Sequence, residues 1–175
     1  MPDHWGTAIV VMGVTGAGKS TIGALLAETL GRPLIEGDSL HPPANIAKMS
    51  QGIPLNDDDR LPWLKAIAAR IDEARKAGRP VIVTCSALKR RYREILEDGH
   101  DDVGFVYLRG ARDLIAQRLA ARTNHFMPPG LLDSQFAALQ EPADDEPSIV
   151  IAIDAAPDDI VRTIVGKFAM GSRSQ

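Results

Sequence analysis

Residues Gly13, Val14, Thr15, Gly16, Ala17, Gly18, Lys19 and Ser20 fit the spacing G-x-x-x-x-G-K-[ST]. Glycines at those places let the backbone curl until successive N–H groups converge on phosphate oxygens. A helix starting directly afterwards adds the partial positive charge of its N-terminus. In such a loop the lysine reaches the β- and γ-phosphates of a nucleoside triphosphate, the Ser20 hydroxyl goes to Mg²⁺, and Thr21 stands close enough to touch the α-phosphate. A glycine-rich turn that merely caps a helix needs neither the lysine nor this spacing of glycines. The pattern therefore implies binding of a nucleoside triphosphate, with Mg²⁺.

Many nucleotide hydrolases hold the metal with an aspartate at the end of a later strand, but here Val81-Ile82-Val83-Thr84 runs into Cys85-Ser86. A carboxylate must come from elsewhere. Glu36-Gly37-Asp38 closes the second apolar run, at the edge where open α/β sheets bind ligands. Asp38 is the candidate to orient an acceptor hydroxyl and take its proton, and Glu36 the candidate to support Mg²⁺ through water. Cys85 reads as packing, because phosphoryl transfer needs no nucleophilic thiol and no base partner is evident for one.

The elements that must position these groups alternate in the manner of βαβ units around a parallel sheet. Short, almost wholly apolar strands are expected at Ala8–Met12, Pro33–Glu36, Val81–Thr84, Val103–Leu108 and Ile149–Ile153, as suits strands covered on both faces. Helical periodicity predicts Lys19–Leu30, stopped by Gly31, and a helix opened by Pro62 and ended by Gly78. Further helices are expected at Leu88–Glu97, Arg112–Thr123, Leu131–Leu139 and Asp158–Phe168, leaving Asp38–Leu61 and Asn124–Gly130 irregular and Gly171–Gln175 disordered. The fold class is α/β, a five-stranded parallel sheet with helices on both faces.

The chain has 175 residues, 45% of them hydrophobic and 25% charged, with 20 basic against 23 acidic side chains. That suits one domain spanning 1–175 that buries its own core without a disulfide or structural metal. A single cysteine excludes an intrachain disulfide or a cysteine-based zinc cluster and favours a reducing compartment, the cytoplasm. No apolar run is long enough to span a membrane, and a pI near 5.8 argues against general nucleic-acid binding.

Glu36-Gly37-Asp38-Ser39-Leu40-His41-Pro42-Pro43 and the residues on to Met49, then Gly52 to Leu64, closely resemble the gluconate kinases. Cys85-Ser86-Ala87-Leu88-Lys89-Arg90-Arg91-Tyr92-Arg93 and His125 to Phe136 are similar to further blocks of that family, in the same order. The resemblance implies a nucleoside-kinase-like fold related to shikimate kinase, with a mobile lid at about 122–135 and an acceptor region at about 38–61. It also implies ATP-dependent phosphorylation of D-gluconate at its terminal hydroxyl, and makes a homodimer plausible. Gluconate is a polyol with one carboxylate, so its site needs a cationic anchor away from the phosphate loop together with hydroxyl partners. Arg60 and Lys89 are the candidate anchors, and His41 a candidate partner for a hydroxyl. Arg60 could instead neutralise Asp57 to Asp59, and the basic turn of Lys89, Arg90 and Arg91 has the composition of a solvated helix face.

Arg118 and Arg122 are spaced i, i+4 and so share one helix face leading into the expected lid. By the resemblance Arg122 goes to the γ-phosphate and Arg118 to the nucleotide, against the alternative of a pair of exposed cations near a helix C-terminus; Phe126 and Met127, apolar in an otherwise polar loop, read as a small cluster packing within the lid. Asp154-Ala155-Ala156-Pro157 resembles an adenine loop whose backbone reads the base. Two other readings compete: phosphorylation of shikimate or a nucleoside monophosphate, and a nucleotide-dependent switch without acceptor chemistry. The acceptor block opposes the first. The joint presence of Asp38, Arg60 and the two arginines opposes the second.

Overall fold

The computed structural model describes residues 6–122 and 129–171. Its sheet has five parallel strands in the order β2-β3-β1-β4-β5, with β1 at Ala8–Met12, β2 at Leu34–Glu36, β3 at Val81–Thr84, β4 at Val103–Arg109 and β5 at Ser148–Ala152. Ala8 lies opposite both Val81 and Val103, so β1 is central, and all five of its residues are buried. That burial is why its sequence is a continuous apolar run with no polar alternation.

The helices are α1 (Lys19–Leu30), α2 (Pro43–Ser50), α3 (Asp57–Ala77), α4 (Arg90–Glu97), α5 (Arg112–Ala120), α6 (Pro129–Ala138) and α7 (Pro157–Gly171). From β1 the chain steps outward to β2, then reverses and crosses the sheet through β3, β4 and β5. Right-handed crossovers therefore put α1 on one face and α3, α4 and α5 on the other, and α7 returns to pack against α1. Leu64, Ile67 and Ile71 of α3 are fully buried, each contributing about 1.5–3 kcal/mol relative to exposure. Because every strand runs the same way, the carboxyl ends of β1, β2 and β3 deliver the phosphate loop, Glu36 to Asp38, and Cys85 to Lys89 to one edge.

Several boundaries differ from expectation. Helix α3 begins at Asp57, not Pro62, because Asn56 Oδ1 accepts from the Asp59 N–H at 2.8 Å while Asp59 Oδ2 accepts from the Asn56 N–H at 3.0 Å. This reciprocal capping fixes the start, and Pro62 is carried inside the first turns. The stretch 38–61 is not irregular throughout: a 3₁₀ turn over Gly37–Leu40 leads into α2, which has Pro43 in its first turn. Helix α5 stops at Ala120, α4 starts at Arg90 and α7 at Pro157. Residues 123–128 of the expected lid, including Phe126 and Met127, lie outside the described residues, as do 172–175 of the expected disordered end.

Candidate active site

The phosphate loop joins β1 to α1 and turns on glycines that other residues could not replace. Gly16 has a φ of +80°, and a Cβ there would meet Leu119 Cγ of α5 at 2.8 Å. The Lys19 ammonium donates to the carbonyls of Gly13 and Val14, both at 3.0 Å, which holds it against the loop. Burial pushes its pKa below the ordinary lysine value, opposed by the nearby carboxylates of Asp38 and Glu36 and assisted by the positive charge of Arg122. Asp38 and Arg122 thus both act electrostatically on the lysine, though they stand in different loops. Thr21 is exposed in the first turn of α1.

Glu36 is held from two sides. Thr84 Oγ1 donates to its Oε2 at 2.6 Å, and Ser20 Oγ donates to the same oxygen at 3.2 Å. Gly37 follows because the chain passes so close to β3 that a Cβ would lie 2.1 Å from the Thr84 carbonyl oxygen. A hydroxyl and a carboxylate side by side form a hard oxygen donor set, suited to Mg²⁺ carrying its own waters. Among the described residues no group of three or more His, Cys, Asp or Glu could hold a metal ion by itself.

Next to the loop opens a cavity of about 340 Å³. Lys19, Asp38 and Thr15 line it on the loop side, and Arg60, His41 and Ser86 also face it. The Asp38 carboxylate has no hydrogen-bond or ion-pair partner among the described residues. His41 stacks on Trp63 with ring centroids 4.1 Å apart, and Trp63 is fixed in turn by donating Nε1–H to the Gly37 carbonyl at 2.8 Å. Asn45 Nδ2 lies 3.2 Å from His41 Nδ1 and donates to the Asp59 carbonyl, which leaves the His41 proton on Nε2. Burial pushes the His41 pKa below its usual value, partly countered by Asp38, so the ring is neutral near pH 7.

The two candidate anchors separate clearly. Arg60 is buried at 9% exposure, donates Nη1–H to Tyr92 Oη at 3.1 Å and lies 5.5 Å from the centre of that ring. It has no ion-pair partner among the described residues. Two carboxylates of the acidic run beside it are matched by others: Asp59 pairs with Lys48, and Asp57 with Lys89, Arg91 and the Tyr92 hydroxyl. The Tyr92 hydroxyl and Lys89 lower the Asp57 pKa to about 2. Lys89 is therefore already matched, at 3.0 Å, and faces an adjoining pocket with Asn56 and Asp57 that also reaches Arg60.

Helix α6 closes the other side. Gln135 Oε1 accepts from the Thr15 N–H at 2.6 Å, tying α6 to the phosphate loop, and Leu131 and Ser134 line the cavity beside it. Arg118 donates to the Ile153 carbonyl at 2.6 Å, at the start of the loop that ends in exposed Pro157, so its guanidinium braces that loop. Arg122 lies just past α5 and is exposed.

The shikimate kinase family model matches residues 15–146. A gluconokinase from Gluconobacter oxydans is 46% identical over 160 residues, covering 91% of this chain and 90% of that protein. The chain belongs to the gluconokinase family. The thermoresistant gluconokinase of Escherichia coli is 41% identical over 157 residues, covering 89% of this chain and 90% of its own. The crystal structure of a gluconokinase from Sinorhizobium meliloti superposes with a TM-score of 0.86 at 45% identity, over 95% of this chain and 93% of that one. As in its family, the expected fold is an α/β five-stranded parallel sheet, and no helix among the described residues is long and apolar enough to cross a membrane.

Set in this gluconokinase framework, Lys19, Asp38, His41 and Arg60 meet at one cavity, and Ser20 meets Glu36 beside it. Arg118 meets the 153–157 loop through backbone. Gln135, Trp63, Tyr92 and Thr84 were not singled out as site residues. Gln135, Trp63 and Tyr92 lie inside blocks that carry the family resemblance and Thr84 does not, and nothing local in the sequence marks the partners of any of the four. Cys85 is buried, and burial pushes its thiol up to about 12, so it is inert packing as expected.

Proposed function

We propose that this gluconokinase-family chain transfers the γ-phosphoryl group of ATP to the terminal hydroxyl of D-gluconate, giving 6-phosphogluconate and ADP. The observation that carries the reading is one cavity with Lys19 and Asp38 on the phosphate-loop side and a buried, unpaired Arg60 on its wall. The N–H groups of Gly13 to Gly18 cradle the phosphates, and Lys19 moves from its own loop carbonyls to the β- and γ-phosphate oxygens. Ser20 and Glu36 would hold Mg²⁺, which neutralises charge on the transferring phosphoryl group. Asp38 orients the attacking hydroxyl and accepts its proton, Arg60 receives the substrate carboxylate, and neutral His41 donates Nε2–H to a substrate hydroxyl. Arg122 supplies positive charge to the γ-phosphate, and Arg118 sets the loop at 153–157 against the base.

The test is ADP production with MgATP and, in turn, gluconate, shikimate, AMP or no acceptor. Turnover with gluconate alone supports the assignment. Turnover with shikimate or AMP, or acceptor-independent hydrolysis, moves it to one of the competing readings. The proposal extends to a cytoplasmic homodimer, whose mass light scattering reads directly.

A further inference from the structure

Arg93 carries the one basic side chain of the Lys89 to Arg93 turn that is wholly buried, and it forms a buried ion pair. Its Nε and Nη2 donate to the two oxygens of Glu146 at 2.6 and 3.1 Å, with side-chain exposures of 1% and 6%. Its remaining arm, Nη1, donates to the Ala87 carbonyl at 2.8 Å. Ala87 is fully buried with a φ of +45°, a left-handed conformation that a Cβ disfavours. The residue before it, Ser86, lines the acceptor cavity, and its carbonyl accepts from the Gly13 N–H at 3.3 Å. The residue after it, Leu88, accepts from the Gln140 N–H at 2.7 Å, just beyond α6.

A buried ion pair is costly to desolvate and is weak evidence for stability, so its placement has to be explained by geometry. Here the fork of one guanidinium joins the segment after α6 to a strained carbonyl beside the cavity. We infer that Arg93 is a positioning residue, clamping Ala87 in its left-handed turn so that Ser86 is presented to the acceptor and to the phosphate loop. This rests on the reading of the cavity as the gluconate site. Glu146 is the other half of the clamp: it fixes the fork and also accepts from the Ala143 N–H at 2.7 Å, which anchors the segment that follows α6.

Two variants test the clamp. Arg93→Lys keeps a cation beside Glu146 but replaces the planar fork by a single ammonium. Arg93→Met/Glu146→Leu exchanges the pair for apolar groups of similar volume, a change that is often neutral or stabilising. Both are expected to fold, the double variant with a somewhat lower melting temperature because it leaves the Ala87 carbonyl and the Ala143 N–H without these partners. Both should raise the gluconate KM about tenfold or more, as for one lost buried hydrogen bond, while the ATP KM stays within about threefold. Folded variants with wild-type gluconate KM would overturn the inference, and Arg93→Lys alone decides it if the double variant does not fold. If the unmodified chain does not phosphorylate gluconate, the acceptor assignment fails and the clamp is judged by amide exchange at Gly13. Faster exchange in Arg93→Lys supports it, and unchanged exchange overturns it.

Discussion

The Lys89 ammonium lies 3.0 Å from Asp57 Oδ1, whereas Arg60, on the next turn of the same helix as Asp57, is buried and its guanidinium has only Tyr92 for a partner among the described residues. Two cations that look equivalent in the sequence are therefore unequal. A carboxylate arriving at Lys89 must displace Asp57, while one arriving at Arg60 meets an unmatched guanidinium. Arg60→Ala should raise the gluconate KM about 10–100-fold, the loss of a charged hydrogen bond, and Lys89→Ala should raise it far less. Steady-state kinetics of the two variants at saturating ATP measure the difference. Equal effects would return Lys89 to the anchor role.

Asp38 is exposed, lines the cavity and has no hydrogen-bond or ion-pair partner among the described residues, which suits the proton acceptor proposed above. Asp38→Asn keeps its shape and removes its charge, so kcat should fall by roughly 10²–10⁴ with little change in KM for ATP. A variant with near-normal kcat would pass the role to Glu36. Lys19→Ala should abolish most transfer while circular dichroism shows an unchanged fold, since among the described residues the lysine side chain bonds only to its own loop.

Thr84 occupies the strand end where an acidic metal ligand is common, and it serves Glu36 instead by donating to Oε2 at 2.6 Å. Thr84→Val, nearly isosteric and buried, should raise the Mg²⁺ concentration needed for half-maximal activity, and Thr84→Ser should restore it. Titrating Mg²⁺ at fixed ATP reads this. The same Mg²⁺ dependence in all three proteins would show that Thr84 serves only packing.

Arg122 adds positive charge near Lys19, while Arg118 bonds a backbone carbonyl. Arg122→Ala should lower kcat by about 10³–10⁵, the range for arginines that stabilise phosphoryl transfer. Arg118→Ala should act through the loosened 153–157 loop and mainly raise the KM for ATP. Reversal of this split would exchange the two roles.

Acid stability should reflect Asp102, which accepts from Arg75 at 2.7 and 2.8 Å and from Thr7 at 2.6 Å. Arg75 and then Thr7 lower its pKa from 3.8 to about 2. A carboxyl depressed by folding stabilises the native state fully above its unfolded pKa. That contribution fades as pH falls from about 4 through about 2. Asp102→Asn should lower the melting temperature at pH 7 and flatten its decline across that acid window. An unchanged acid limb would mean that another carboxylate controls it.

Much of this was legible in the sequence because it is local. The ends of β1, β3 and α1 agree with the apolar runs and with Gly31, and the phosphate loop lies where its spacing placed it. What escaped depends on distant partners or on competing local signals. Pro62 has the composition of a helix start, but the Asn56–Asp59 capping box begins α3 one turn earlier. Helix α2 is short and leaves Ile46 exposed, so its apolar pattern is weak. Nothing near Arg93 in the chain distinguishes it from its solvated neighbours, because Glu146, the residue that allows its burial, is 53 positions away.

In the proposed reaction the site accepts a polyol through its carboxylate at Arg60. The most direct measurement is kcat/KM for D-gluconate against D-sorbitol, the open-chain polyol that keeps the chain hydroxyls and has a neutral hydroxymethyl group in place of the carboxylate. A site built around a buried charged donor should reject the neutral analogue by about 10⁴–10⁵. Comparable values for the two compounds would show that Arg60 does not anchor a carboxylate.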